Sequence, residues 1–305
     1  MKLSIVLSDY GGVRENFHTP IFLNKQNFNR KDYEIIWVEL YGKCQKKVID
    51  YVEAGIIDKA YVMNTPAGGL QKRQLTYNAG LGQSQGDLVC FLDADVVCTV
   101  HFIERIMQSF QYDDNIIFFM DEIRHGLAEN ISYDVNIDNF IFSESACNWI
   151  NWDYAFKRTH GISHMLHQHV QPYLDRRQIR QDIESKTMDR NYGACMVIKK
   201  SDAIAVKGFD ESHKFDGLFG GPWEMGWRIL NLNRHYREYW HPNEFILHIK
   251  HPGTDGTDDK NYVTQFEPGL ENLSCHWPGI KMNYHGIKNF LDGKTYPEKA
   301  CHAFQ

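Results

Sequence analysis

Two carboxylates at i and i+2 close a run of apolar residues in Phe91-Leu92-Asp93-Ala94-Asp95-Val96-Val97. The run leads straight out of Gly86-Asp87 and reads as a buried strand. Ligands of open α/β sheets bind beyond the carboxyl ends of such strands. Two acids held this close repel each other unless a cation lies between them. A hard divalent ion with oxygen ligands, bridging Asp93 and Asp95 to a diphosphate, is the economical chemistry. The competing reading is a solvated turn with Asp as a loop former. Upstream, after the Gly68-Gly69 turn, stands Lys72-Arg73-Gln74-Leu75-Thr76-Tyr77-Asn78. At a helix start, backbone N–H groups and a basic side chain together hold phosphate or ribose oxygens.

These residues need a scaffold that sets strand ends in a row, and the chain is long enough to build one. Its 305 residues are 43% hydrophobic and 24% charged, which excludes a disordered or low-complexity chain. Up to about residue 120, short apolar runs alternate with amphipathic segments, the signature of βαβ units around a mostly parallel sheet. Strands are expected at 3–7, 34–40, 60–63, 88–92 and 116–120, and helices at 19–27, 45–54, 71–84 and 99–110. The second helix has Val48, Tyr51 and Val52 on one face and stops at Gly55. Residues 121–190 lose the rhythm and read as an inserted functional loop or lid. Order returns with a strand at 192–198, a helix capped by Ser201 and a turn at Lys207-Gly208-Phe209-Asp210. A helix from Gly221-Pro222 through 231 and a strand at 244–249 follow. The expected fold class is α/β, a mostly parallel Rossmann-like sheet flanked by helices in one compact domain.

A net charge of -6, from 33 basic and 39 acidic side chains, offers no field for nucleic acid or an anionic membrane. The first apolar stretch is closed by Asp9 and is too short for a signal peptide. No run approaches the roughly 20 apolar residues of a membrane span. A soluble cytoplasmic protein is expected, with peripheral membrane association and oligomeric state left open. Seven cysteines without a CxxC pair read as small buried hydrophobes of a reducing compartment.

In order and spacing, "SIVLSDYGG", "YEIIWVEL", "KRQLTYNAG" and "GDLVCFLDADVV" resemble the nucleotide-sugar-binding half of glycosyltransferases of the A-type fold, especially family 2. The segments "YGACMVIKKSDAIAVKGFDES", "GPWEMGWRIL" and "FILHIKHPG" extend the resemblance to the acceptor side. The resemblance implies a nucleotide-sugar-binding half at 1–120, acceptor loops at 121–190, an acceptor and metal-completing half at 191–255, and a C-terminal extension at 256–305. It implies that Ser8 and Tyr10 lie against the nucleotide and that Glu39 contacts base or ribose. Arg73 and Asn78 would approach ribose and diphosphate, Asp93 the ribose or sugar, and Asp95 a divalent metal, Mn2+ or Mg2+. His248, with His251 as second choice, would complete the metal site through an imidazole nitrogen. Glu224 aligns with the base of inverting members; Asp210, Glu211 and Asp216 are alternatives, and a retaining course stays open. Glu224 and Arg228 also stand at i and i+4, the spacing of an ordinary helical ion pair.

The resemblance thus implies a metal-dependent glycosyltransferase with a nucleotide-sugar donor, UDP-sugar favoured, and a hydroxyl acceptor on a glycan, glycolipid or other molecule. Trp149, Trp152, Tyr154, His160, His164, His167 and His169 suit a sugar-facing wall. The i, i+4, i+7 spacing of His160, His164 and His167 also fits a zinc-binding helix face, though no cysteine or carboxylate cluster accompanies it. Two other readings stand beside this one. A sugar nucleotidyltransferase would need a triphosphate loop, of which Gly11-Gly12-Val13-Arg14 is a thin version. A noncatalytic sugar- or nucleotide-binding module is suggested by Gly221 and Pro222, which stand where family members carry an acidic pair.

Overall fold

The computed structural model describes residues 1–9, 18–42, 44–65, 73–124, 173–174, 193–211, 222–248 and 299–300. Its strands are β1 (Leu3–Asp9), β2 (Tyr33–Tyr41), β3 (Lys59–Thr65), β4 (Leu88–Asp93), β5 (Val96–Val97), β6 (Ile116–Arg124), β7 (Tyr173–Leu174), β8 (Cys195–Lys199), β9 (Arg237–His248) and β10 (Lys299–Ala300). They form one sheet in the order β10-β3-β2-β1-β4-β8-β6-β9-β5, with β7 on β9. Through β3, β2, β1 and β4 the pairing is parallel. Beyond β4 it is mixed, because β8 enters antiparallel between β4 and β6, while β6 and β9 pair parallel. The expected α/β class is the one observed.

Every residue of β1 and of β4 is buried, which is why both read in the sequence as nearly continuous apolar runs. Alternation divides their side chains between two cores. Leu3, Ile5, Leu7, Ile35, Trp37 and Cys90 pack on the side of α1 (Thr19–Asn24), α2 (Lys46–Glu53) and α4 (Phe102–Tyr112). Val6, Ile36, Val38, Val89 and Phe91 pack on the side of α3 (Arg73–Gln83), α5 (Lys200–Ala205) and α6 (Pro222–Leu232). Helix α3 lies close against β1 at Gly80, where a Cβ would stand 2.2 Å from Val6 Cγ1.

The Gly55 stop signal works as expected. With φ at 70°, Gly55 donates to Val52 O, and Ile56 N reaches back to Tyr51 O, closing a Schellman turn. Helix α5 ends the same way, with Lys207 in the left-handed position usually given to glycine, at φ 63°. Its amide donates to Ile204 O and that of Gly208 to Ala203 O. Ser201, expected as the cap of this helix, lies inside it, and Lys199 is the capping residue.

Two expectations are corrected. Strand β9 begins at Arg237, not 244. Pro242 breaks the apparent strand pattern, since a proline withholds a ladder donor. The structure absorbs it in an irregularity, where β6 steps from Phe119 to Asp121 while β9 steps from Trp240 to Phe245. Among the cysteines, Cys90, Cys98 and Cys195 are buried free thiols, as expected. Cys44 is disulfide-bonded instead. Among the described residues, no helix is long and apolar enough to cross a membrane.

Candidate functional site

The carboxyl ends of β2, β1 and β4 lie side by side and carry the polar residues of the sheet edge. Asp9 is the register partner of Glu39, and Ser8 that of Asp93. By strand alternation Asp9 and Glu39 fall on the α1 side of the sheet, while Ser8 and Asp93 fall on the α3 side. Asp9, Glu39, Asp93 and Asp95 are all at most 4% exposed, so each carboxylate needs charge or hydrogen-bond compensation.

For Asp93 part of that compensation is Arg73, at the first position of α3. Its guanidinium nitrogen lies 3.2 Å from Asp93 Oδ1, and both side chains are largely buried. The structure therefore joins the two segments that the sequence singled out. Thr76, one turn into α3, donates its hydroxyl proton to Arg73 O at 2.8 Å. Ser8 Oγ lies 2.6 Å from Thr76 Oγ1, and with that proton already used, Ser8 is the donor. Ser8 thus stands at the expected edge, but its hydroxyl ties β1 to α3. Glu39 stands beside it on β2 and accepts from Tyr41 N at 3.0 Å.

Asp95 occupies the two-residue turn between β4 and β5 and is fully buried. The hydroxyl of Thr19, on α1, contacts Ala94 O and Val96 O at 2.7 Å and Val96 N at 3.0 Å. On the far side, β5 pairs with β9 so that Val96 is the partner of His248. The register thereby brings the backbone of His248 beside Val96, one residue past Asp95. Cys98, the residue after β5, is buried, and its thiol is pushed well up by that burial and further by Cys195 and Glu244.

Asn78, expected near ribose and diphosphate, has a buried side chain that binds the protein itself: Nδ2 donates to Phe209 O at 2.9 Å and to Glu211 Oε1 at 2.7 Å, and Oδ1 accepts from Phe209 N at 2.8 Å. It is a clamp on the turn after α5. Arg228 grips the same turn from α6, with Nη1 on Val206 O at 2.5 Å and Nη2 on Gly208 O at 2.6 Å. Its guanidinium is fully buried and donates to two carbonyls of that turn. Asp210 lies in this turn and Glu224 on α6.

Tyr10, Asp216, His251, the Gly11-Gly12-Val13-Arg14 loop and the histidine- and tryptophan-rich segment lie outside the described residues. Among the described residues, no group of three or more His, Cys, Asp or Glu is gathered to hold a metal. Sequence reasoning missed Asp9, which bears the same signal as Asp93, an acid closing an apolar strand. It also missed Thr19 and Thr76, for which no spacing in the sequence gave a sign.

A family model described as glycosyl transferase family 2 matches residues 73–203, from the first residue of α3 into α5. No curated protein matches the chain. Among solved structures, S. aureus TarS 1-349 in complex with UDP-GlcNAc is similar at 14% identity and TM-score 0.51, covering 83% of this chain and 60% of that one. The mannosyltransferase PcManGT from Pyrobaculum calidifontis, in complex with GDP-Man and Mn2+, is similar at 10% identity and TM-score 0.50, covering 81% and 56%. The chain spans less than two thirds of each of these proteins. Residues 73–203 thus match the glycosyl transferase family 2 model, and the fold is similar to that of these A-type glycosyltransferase structures.

Proposed function

We propose that the chain is a metal-dependent glycosyltransferase that moves a sugar from a nucleoside diphosphate sugar, UDP-sugar favoured, to a hydroxyl of a glycan, glycolipid or other acceptor, with inversion. The observation that carries this reading is the contact of Arg73 with Asp93 on a strand-end turn that also holds Asp95 and meets His248 in register. Similar folds that bind UDP-GlcNAc, or GDP-Man with Mn2+, support it.

The donor set fits a hard divalent cation. Asp95 and Asp93 supply carboxylate oxygens, and His248 an imidazole, the ligand types that Mn2+ accepts and Mg2+ accepts in part. When bound, such a cation neutralises charge on the departing diphosphate. Arg73 adds a fixed positive charge where the donor's phosphates or ribose approach, while the Ser8 and Thr76 pair holds α3 to β1 so that this charge stays in place. Glu39, with Asp9 beside it, faces the base or ribose with hydrogen-bond acceptors. Glu224 on α6 takes the proton of the acceptor hydroxyl as its oxygen attacks the anomeric carbon; Asp210 is the alternative. Residues 1–120 then form the donor half, 121–190 and 191–255 the acceptor side, and 256–305 an extension.

The test is donor hydrolysis or transfer with UDP- and GDP-sugars, with and without EDTA, for wild type and Asp95→Ala. Turnover abolished by EDTA and by the substitution supports the reading. Metal-dependent turnover undiminished in Asp95→Ala overturns it, and donor binding without turnover on any acceptor gives the noncatalytic module instead.

A further inference from the structure

Helix α1 lies as a splint along the segment that links β4, β5 and α4. At one end Thr19 Oγ1 contacts Ala94 O, Val96 O and Val96 N. Just past its other end, Gln26 Nε2 donates to Thr99 O at 2.7 Å, Gln26 Oε1 accepts from Ile103 N at 3.1 Å, and Asn27 N donates to Val100 O at 2.8 Å. The splint is itself fixed from the opposite side, where Tyr33 donates to Leu23 O at 2.6 Å and Asn24 to Ile56 O at 2.7 Å. Pro20 in its first turn further stiffens it.

The three atoms that Thr19 touches are the carbonyl before Asp95 and the amide and carbonyl after it. A hydroxyl carries one proton and two lone pairs, so Thr19 accepts from Val96 N–H and shares its proton between the two carbonyls. Both peptide groups flanking Asp95 are thereby set, and with them the direction in which its carboxylate leaves the chain. Thr19 is fully buried, so water does not replace this hydroxyl when it is lost. We infer that Thr19 is a positioning residue for the metal-binding turn, acting through the backbone on either side of Asp95. The inference rests on the proposed role of Asp95.

The experiment compares Thr19→Val, Thr19→Ser and Gln26→Ala in the full chain. Calorimetry measures Mn2+ binding in the presence of UDP and of GDP, thermal melting reports stability, and amide exchange at Val96 is followed without ligand. Thr19→Val keeps the shape and removes the hydroxyl. It is expected to weaken Mn2+ binding about tenfold or more, the usual scale for a group that orients a ligand. It should also speed exchange at Val96. Thr19→Ser should restore both, and Gln26→Ala should lower the melting temperature while leaving Mn2+ affinity unchanged. Wild-type affinity in Thr19→Val, or an equal loss in Gln26→Ala, overturns the inference. If the wild type binds no Mn2+ with either nucleotide, the proposed function fails. Exchange at Val96 then still decides whether Thr19 sets the turn: acceleration in Thr19→Val supports that hold, and unchanged exchange overturns it.

Discussion

The side-chain amide of Asn78 pairs with both backbone polar groups of Phe209, 131 residues further along the chain, accepting from its N–H at 2.8 Å and donating to its C=O at 2.9 Å. Phe209 in turn completes a three-ring cluster with Tyr77 and Phe91, at centroid distances of 5.4 and 4.7 Å, those two rings being 5.1 Å apart. Helix α3 therefore does three things along its first turns. Arg73 meets Asp93, Thr76 meets Ser8, and Asn78 holds the turn that carries Asp210 and Glu211. One rigid element spans the strand-end site and the segment beyond α5.

Replacing Asn78 by Ala leaves the Phe209 N–H and C=O buried without that partner. Each orphaned group costs about 1–3 kcal/mol, so Asn78→Ala should lower the unfolding free energy by about 2–6 kcal/mol in urea denaturation. Nucleotide affinity of the folded variant should stay near wild type. A variant of wild-type stability that had lost nucleotide binding would return Asn78 to the diphosphate role.

The parts of this arrangement that the sequence discloses are those whose signal is local. Strands β1, β2 and β4 are legible because central parallel strands bury both faces, and Asp93 and Asp95 because acids closing such a strand have few structural uses. Arg73 is legible from its place at a helix start. Asn78, Arg228 and Thr19 are not, because what defines each is a contact 20 to 131 residues away. A polar residue on a helix carries no mark of which backbone carbonyl it will meet. Pro242 hid the first half of β9 because the irregularity that accommodates it depends on β6, not on its own neighbours.

Gly80 is fixed by packing. A methyl group there would stand 2.2 Å from Val6 Cγ1 and 2.9 Å from Cγ2, and Val6 is fully buried with a stiff, branched side chain. Alanine gains about 1 kcal/mol of helix propensity, but overpacking costs about 1–3 kcal/mol. Gly80→Ala should be net destabilising, and adding Val6→Ala should recover part of the loss. Stabilities that simply add in the double-mutant cycle would contradict the contact.

His241 gives the fold an acid sensitivity. Burial, aided by the positive charge of Arg105, pulls its pKa down to about 4, and its ring sits against Phe118 and Tyr239 at 6.1 and 6.0 Å. An unfolded histidine titrates near 6.5, so between about 4 and 6.5 the unfolded chain binds the extra proton. The stabilisation from neutral His241 is complete above that window and is lost as pH falls through it. His241→Phe keeps the ring and should flatten this part of the stability profile between pH 7 and 4.5. An unchanged slope would refute the assignment.

The contact between Arg73 and Asp93 makes opposite demands on the two ligands of the proposed site. A guanidinium 3.2 Å from the carboxylate compensates its charge in the ligand-free protein and competes there with a metal cation. The same guanidinium attracts the phosphates of a nucleotide. Arg73→Met should therefore lower the melting temperature of the ligand-free protein while enlarging the rise produced by Mn2+ alone. Nucleotide binding in the presence of Mn2+ should weaken, by about tenfold for a lost charge-assisted contact of roughly 1.5 kcal/mol. The three readouts separate the roles. A purely structural arginine would lower the melting temperature and leave both ligand responses alone, whereas an arginine serving only the nucleotide would leave the response to Mn2+ alone unchanged.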